Sequence, residues 1–191
     1  MKILGISGTK RVNGNSSILL ESALAPFIEK NWEVKKVFLK DYRLESCRGC
    51  EACRKLSKCV INDDFSVITE LFNWTDALII SSPVYYRNIN SHLMMLLERY
   101  YSVSSKNLLK DKVGGAISVG RGAGRANSLN NIYTWMLSSG MICVPGELNG
   151  VTAIASEPND IFSKPEYQEQ ARILGKNIME TTSKLLAVSR A

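Results

Sequence analysis

Short apolar runs alternate with longer amphipathic stretches along the whole chain. Lys2–Ser7 (KILGIS) is apolar almost throughout and bounded by turn residues, the pattern of a strand buried on both faces. Residues 34–39, 76–81, 112–119 and 141–144 read as further strands, the second of these stopped by Pro83. Helical spacing fills the gaps. Behind the cap residues Asn13, Asn15, Ser16 and Ser17, the positions Ile18, Leu19, Ser22, Ala23, Pro26 and Phe27 form a mostly apolar stripe up to about Lys30. Residues 65–72 follow Asn62-Asp63-Asp64, where a carboxylate can cap a helix, a reading preferred over catalysis for the acidic pair. Residues 91–102 put Leu93, Leu96, Leu97 and Tyr100 on one face, and 126–138 and 166–188 complete the helices. Alternating strands and helices favour a parallel sheet covered on both sides, because parallel strands need crossover connections. No repeat or linker interrupts the pattern, so residues 1–191 read as one domain.

Composition narrows the function classes. The chain is 45% hydrophobic and 22% charged, ordinary for a globular protein. Its net charge of +6 is that of a solvated surface and also suits anionic cofactors and acidic electron carriers. No nucleic-acid motif or long basic run interleaved with aromatics is present, so nucleic acid is not an expected partner. Apolar runs such as 77–80 are too short to cross a bilayer, and the N-terminus enters a strand with no basic, Ser-rich leader; a cytoplasmic protein without a membrane partner is expected. Met94 and Met95 fall off the main helical stripe, where they fill the core edge or suit a subunit interface.

The chemistry concentrates in Cys47-Arg-Gly-Cys50-Glu-Ala-Cys53-Arg-Lys-Leu-Ser-Lys-Cys59, which holds four of the five cysteines. Three thiols spaced two residues apart can wrap one inorganic core while a fourth closes it, with Gly49 turning the backbone between the first two. Arg48, Arg54, Lys55 and Lys58 would offset the charge of a thiolate-ligated cluster. A [4Fe–4S] cluster is the leading reading. Zinc, whose sites usually come as two CxxC pairs, and free or redox-active thiols remain as alternatives, with disulfides last. The run is not a ferredoxin repeat, since the fourth cysteine comes late and precedes Val60 instead of proline. Cys143, in the apolar 141–144 run, reads as a small buried hydrophobe.

Three loops are expected at the carboxyl edge of the sheet, where open parallel sheets bind ligands. The first, SGTKRVNGNSS from Ser7 to Ser17, brings hydroxyls, amides and cations to a helix N-terminus and reads as a phosphate cradle. It is neither a Walker A loop nor a Rossmann fingerprint. The second, SSPVYYRN, sets two aromatics after a buried strand, and the third, GRGAGR, lets backbone N–H groups approach a flat ligand. Together they suit a phosphorylated aromatic cofactor, and FMN fits better than a dinucleotide. His92, the only histidine, reads as a surface or packing residue, and without GxSxG a hydrolase triad has little support.

The SGTKRVNGNSS loop, the SSPVYY turn and CRGCEACRKLSKC followed by INDD resemble, over nearly the whole chain, the iron–sulfur flavoproteins of the NADPH-dependent FMN reductase superfamily. The compact cysteine motif is the specific part of the likeness. The resemblance implies a flavodoxin-like, doubly wound five-stranded parallel sheet of order 2-1-3-4-5, with a cluster-binding loop at residues 46–62 after the second strand. It also implies FMN and a [4Fe–4S] cluster held by Cys47, Cys50, Cys53 and Cys59, in a homodimer or homotetramer where one subunit's cluster faces another's flavin. A ferredoxin-like electron carrier or NAD(P)H is the implied partner, in an electron-transfer role in anaerobic microbes. Position by position, Ser7, Thr9, Arg11, Asn13, Asn15, Ser16 and Ser17 would serve the phosphate and ribityl chain. Pro83, Val84, Tyr85 and Tyr86 would border the isoalloxazine, with Gly120, Arg121 and Gly122 on its other edge. The first loop is longer and more basic than the compact GSxRxxSxT form of the superfamily. Electron exchange between flavin and cluster needs no general acid or base among these residues. Two rivals stand beside it: an NAD(P)H-dependent FMN or quinone reductase whose cysteine loop is structural or binds zinc, and a redox sensor or interaction module.

Overall fold

Along the central strands nearly every residue is buried, and successive side chains enter opposite cores on the two faces of one sheet. In this computed structural model, which describes residues 1–188, the order is β1 (Lys2–Ser7), α1 (Asn15–Glu29), β2 (Glu33–Phe38), α2 (Cys53–Leu56), α3 (Phe65–Trp74), β3 (Ala77–Tyr85), β4 (Asn88–Ile89), α4 (Ser91–Arg99), β5 (Val113–Gly120), α5 (Arg125–Ser138), β6 (Ile142–Cys143), β7 (Val151–Ile154) and α6 (Pro165–Val188). Ile3, Ala77, Ile79, Val113 and Ile117 belong to one core, with Leu20, Leu24 and Phe27 of α1 and Leu174 and Ile178 of α6. Leu4, Ile6, Leu78, Ile80 and Ala116 belong to the other, with Ile68 and Phe72 of α3, Leu93 and Leu96 of α4, and Ile132 and Met136 of α5. Each such large side chain contributes about 1.5–3 kcal/mol when fully buried. Covering both faces is therefore what the near-continuous apolar strands require.

The ladder runs β2-β1-β3-β5-β6, every pair parallel, which is the expected 2-1-3-4-5 order of a flavodoxin-like sheet. Its fifth place is divided. The expected strand at 141–144 shrinks to β6, which meets β5 only at Val113 and Gly114. Further along, β7 takes over the same flank and pairs with β5 from Ile117 to Gly120. The chain between them leaves the sheet, and the Tyr133 hydroxyl donates to the Val144 carbonyl at 3.1 Å where it departs.

β3 also outruns its expected end. It continues through Pro83 to Tyr85, because β1 finishes at Ser7 opposite Ser81, and beyond that point β3 is an edge on which a missing N–H is tolerated. The strand then folds back through Tyr86 and Arg87 into β4, which pairs antiparallel with Val84 and Tyr85. None of the expected cap side chains closes α1; Gly14 takes the N-cap position and no side chain bonds there. α4 ends at Arg99, and Tyr100–Lys106 tightens into a 3-10 turn instead of completing the helix expected to 102. No helix among the described residues is long and apolar enough to cross a membrane.

α1 and α6 cross on one face of the sheet at closest approach. A Cβ on Gly175 would lie 2.0 Å from the backbone oxygen of Ala23, so only glycine allows the two helices this spacing. Gly175→Ala is expected to lower unfolding stability by at least about 1–3 kcal/mol, the usual cost of overpacking, despite alanine's better helix propensity. The midpoint of urea unfolding measures it; an unchanged or higher midpoint refutes the close packing.

Candidate functional site

The carboxyl ends of β1, β3, β5 and β7 open onto a cleft of about 310 Å³ lined by residues of the three expected loops and of the segment after β7. Thr9, Arg11, Gly14, Asn15 and Ser16 form one wall, Pro83, Val84 and Tyr85 another, and Val119, Gly120, Arg121, Ala155 and Ser156 the rest. The first wall ends on the N-terminus of the fifteen-residue α1, which has no acidic residue in its first turn. The Ser16 hydroxyl is buried there without a partner. An uncapped helix start beside an unpaired donor is suited to an anion.

The sequence-predicted residues distribute unevenly around this cleft. Asn15 lines it but also clasps the far segment, donating its amide to the Glu157 carbonyl at 2.8 Å and accepting from the Ile161 N–H at 3.4 Å. Arg121 reaches the same segment, donating from Nε to the Ser156 carbonyl at 2.9 Å. Ser7 and Ser17 lie behind the wall, both buried, their hydroxyls 3.1 Å apart. Asn13 and Ser17 border a neighbouring cavity with Val12, Phe38 and Phe162. Tyr86, at the hairpin tip, is fully exposed. A Cβ on Gly122 would meet nothing within 4 Å. Ala155 and Ser156 were not expected; their only signal was the short apolar-alternating VTAI that precedes them. Asp160 organises this segment, its Oδ2 accepting from the Ser156 and Glu157 N–H groups at 2.7 and 3.0 Å, and those bonds hold its carboxyl below the usual range.

A second recess gathers Cys47, Cys50, Cys53 and Cys59 with Glu98, Arg99, Tyr101 and Ser102. The loop carrying the thiols bends through Gly49, Glu51 and Ser57, all at positive φ, around the single turn of α2. Cys47 donates its N–H to Glu98 Oε1 at 2.7 Å, which fastens the loop to α4. Among the described residues, no three His, Cys, Asp or Glu side chains stand close enough together to ligate one metal ion.

Beneath the loop lies a feature the sequence reading did not single out. Arg99 and Asp63 form an ion pair with side chains 1% and 0% exposed. Asp63 Oδ2 also accepts the Glu45 N–H at 2.8 Å and Oδ1 the Phe65 N–H at 3.2 Å; the N-cap position of α3 is Asp64, whose side chain makes no cap bond, so the carboxylate that serves the helix start does so from one residue earlier. Burial alone would raise the Asp63 carboxyl, but Arg99 and the two backbone donors outweigh it and leave the group below its ordinary value. Burial likewise acts to lower the Arg99 pKa, while Asp63 and the nearby Cys59 sulfur raise it above the usual guanidinium value. Arg99 Nη1 donates to Asp63 and, at 3.2 Å, to the Glu45 carbonyl. Its Nε and Nη2, and the Ser102 hydroxyl, are buried with no hydrogen bond of good geometry, to Cys59 or elsewhere. Cys143 is a different case: half-buried, its thiol is pushed up to about 11 by burial, and it lies in β6 away from the recess lining.

A parallel sheet of this order with a ligand-sized cleft at its carboxyl edge defines the flavodoxin-like class. An archaeal flavodoxin superposes with a TM-score of 0.65 at 16% identity, covering 96% of this chain and 99% of its own. RosB, solved with bound 8-demethyl-8-formylriboflavin-5'-phosphate, superposes at 0.78 and 16% identity, covering 98% of this chain and 81% of that one. Within the class, residues 1–154 match the sequence model of the NADPH-dependent FMN reductase family, and the chain belongs to that family. It is an FMN-dependent oxidoreductase. An iron–sulfur flavoprotein of Methanocaldococcus jannaschii is 34% identical over 186 residues, which cover 94% of this chain and 96% of the relative.

Asp63→Asn is expected to destabilise the fold at pH 7 by about 3 kcal/mol, the lower end for breaking a buried pair, because only the thin cysteine loop covers it. Since the folded-state pKa of Asp63 is depressed, its contribution is complete above the unfolded value of about 4 and is lost as pH falls through the folded value. Urea midpoints of wild type and variant should therefore differ at pH 7 and converge in acid; a constant difference across that range contradicts the pair.

Proposed function

We propose that this FMN-dependent oxidoreductase is an iron–sulfur flavoprotein, passing electrons between FMN in the sheet-edge cleft and a [4Fe–4S] cluster on Cys47, Cys50, Cys53 and Cys59. The observation that carries the reading is the sharing of one recess by four thiols and a buried guanidinium with unpaired N–H groups. Orphaned buried donors are uncommon, and a sulfur-rich anionic core is the acceptor that these lack. FMN supplies electron transfer singly or in pairs, and the cluster singly, when both are bound.

The chain's own residues divide the work. Arg11, Gly14, Ser16 and the start of α1 hold an anionic phosphate, with Thr9 and Asn15 beside them. Pro83, Val84, Tyr85, Gly120 and Arg121 border a flat ring and limit water at its edge. Ser7, Asn13, Ser17, Tyr86 and Gly122 act around rather than within this contact, through packing, loop shape or the approach of a second molecule. A ferredoxin-like carrier or NAD(P)H serves as the outside partner. Copies of the chain assemble as a homodimer or homotetramer that sets one cysteine recess against another subunit's cleft. The second reading, an NAD(P)H-dependent FMN or quinone reductase with a structural or zinc-binding cysteine loop, draws support from the family's NADPH-dependent description.

Anaerobically purified protein is expected to carry FMN together with about four irons and four acid-labile sulfides per chain, seen as broad absorbance beneath the flavin bands. Cys50→Ser should lose iron and keep flavin. Flavin with zinc, or with no metal, decides for the second reading. For the cleft, Ser16→Ala and Arg11→Ala are each expected to weaken FMN binding by about 3- to 10-fold, the equivalent of one hydrogen bond, in fluorescence titration of the apoprotein. Unchanged affinity in both would place the phosphate elsewhere.

A further inference from the structure

The cations expected to balance the cysteine motif are on its outside. Arg48, Arg54, Lys55 and Lys58 are all exposed, and the two arginines are paired with Glu45 and Glu51 of the same loop. Charges so placed are screened by solvent and counter-ions and act weakly on a buried centre. Arg99 is the reverse: 2% exposed, it lies against the inner side of the recess. There, with little solvent to screen it, a charge acts far more strongly.

Its geometry is fixed from behind. Nη1 is committed to Asp63 and to the Glu45 carbonyl, and the guanidinium carbon lies 4.4 Å from the centre of the Phe65 ring. A guanidinium is planar, so holding one nitrogen and one face sets the direction of the other two. Those two, with the Ser102 hydroxyl, are the buried polar atoms left without partners among the residues lining this recess. A buried donor left unsatisfied is costly, more so when charged, so three together point to an acceptor that completes them.

We propose that Arg99, held by Asp63 and assisted by Ser102, donates hydrogen bonds from Nε and Nη2 to the sulfur of the cluster or its thiolates, raising the cluster's reduction potential and slowing its loss. The inference rests on the cluster reading above. Each electron the cluster gains adds negative charge, which a fixed cationic donor stabilises more in the reduced form than in the oxidised form. Asp63 acts as a positioning residue.

The test compares anaerobic wild-type and Arg99→Gln holoprotein in reductive titrations followed by EPR, with iron, acid-labile sulfide and FMN measured on the same samples. Arg99→Gln with cluster and FMN bound is expected to reduce at a lower potential and to surrender iron to a chelator several-fold faster, and Ser102→Ala to shift the same way by less. An unchanged or raised potential in Arg99→Gln overturns the proposal. Should Arg99→Gln come without its cluster or FMN, the Arg48→Gln/Arg54→Gln double variant, which keeps Arg99 and has no other arginine between the cysteines, decides. A weak nitrogen coupling to its reduced cluster, altered by ¹⁵N-arginine labelling in pulsed EPR, supports the contact, and its absence overturns it. Wild-type protein lacking iron and sulfide removes the cluster reading and the role of Arg99 with it. Iron and sulfide intact with an unmoved potential removes the role of Arg99 alone.

Discussion

The buried pair of Asp63 and Arg99 fixes the cysteine loop to the body of the protein. Withdrawing two charges from water costs several kcal/mol each, and their attraction seldom returns much more than that, so the pair is poorly explained as a source of stability. Its value lies in position. The loop contributes little to the core: α2 buries none of its four residues, and Cys47 and Cys50 are exposed. Polar bonds do there what apolar packing does elsewhere. Arg43 and Asp64 exchange backbone and carboxylate bonds at 2.7 and 3.0 Å, Glu45 donates to Asp63, and Cys47 is tied to Glu98, so both limbs of the loop are clamped near their bases.

The cleft is positioned by the opposite means. Its walls issue from strands buried on both faces, and their register leaves little freedom: Ser7 pairs with Ser81, and Gly120 with Ile154. Division of the fifth strand is what delivers the last wall. β6 starts beside the beginning of β5, the chain leaves the sheet, and β7 returns beside the end of β5, so that Ala155 and Ser156 emerge next to Gly120. Asp160, Asn15 and Arg121 then bind that segment to α1 and to the β5 loop. A continuous fifth strand would have no need of the excursion between 144 and 150.

What was legible in the sequence follows from range. The apolar runs of β1, β3 and β5 disclosed themselves because strands covered on both faces must be apolar at nearly every position, and their order followed from resemblance to a known fold. The cysteine spacing and the SGTKRVNGNSS loop were legible because their chemistry is local. Pro83 misled, since its cost depends on whether a neighbouring strand is present at that level, and that is a fact about β1. β7 was hidden because four residues with exposed or half-buried alternate positions resemble many loops. Arg99 was hidden more deeply. As the last residue of an amphipathic helix it reads as a solvated cation favourable to the helix dipole, and only the return of Asp63, 36 residues earlier in the chain, makes it a buried one.

Backbone strain separates the functional loops from ordinary turns. Among the described residues nine non-glycines have positive φ, and Asn13, Asn31, Asn107, Asp111 and Asn159 are of the types that tolerate it. The remaining four are Glu51 and Ser57, within the cysteine loop, and Tyr86 and Arg87, at the hairpin that follows the cleft wall. Each stands about 1–2 kcal/mol above a right-handed conformation. Turns that only reverse the chain lessen that cost by using asparagine, aspartate or glycine, as the other positions do. The four exceptions carry other side chains: Glu51 pairs with Arg54 at 3.4 Å, and Tyr86 stands fully in solvent at the hairpin beyond the cleft wall. The strain thus marks the same two places as the thiols and the cleft, reached from backbone geometry alone and without reference to their chemistry.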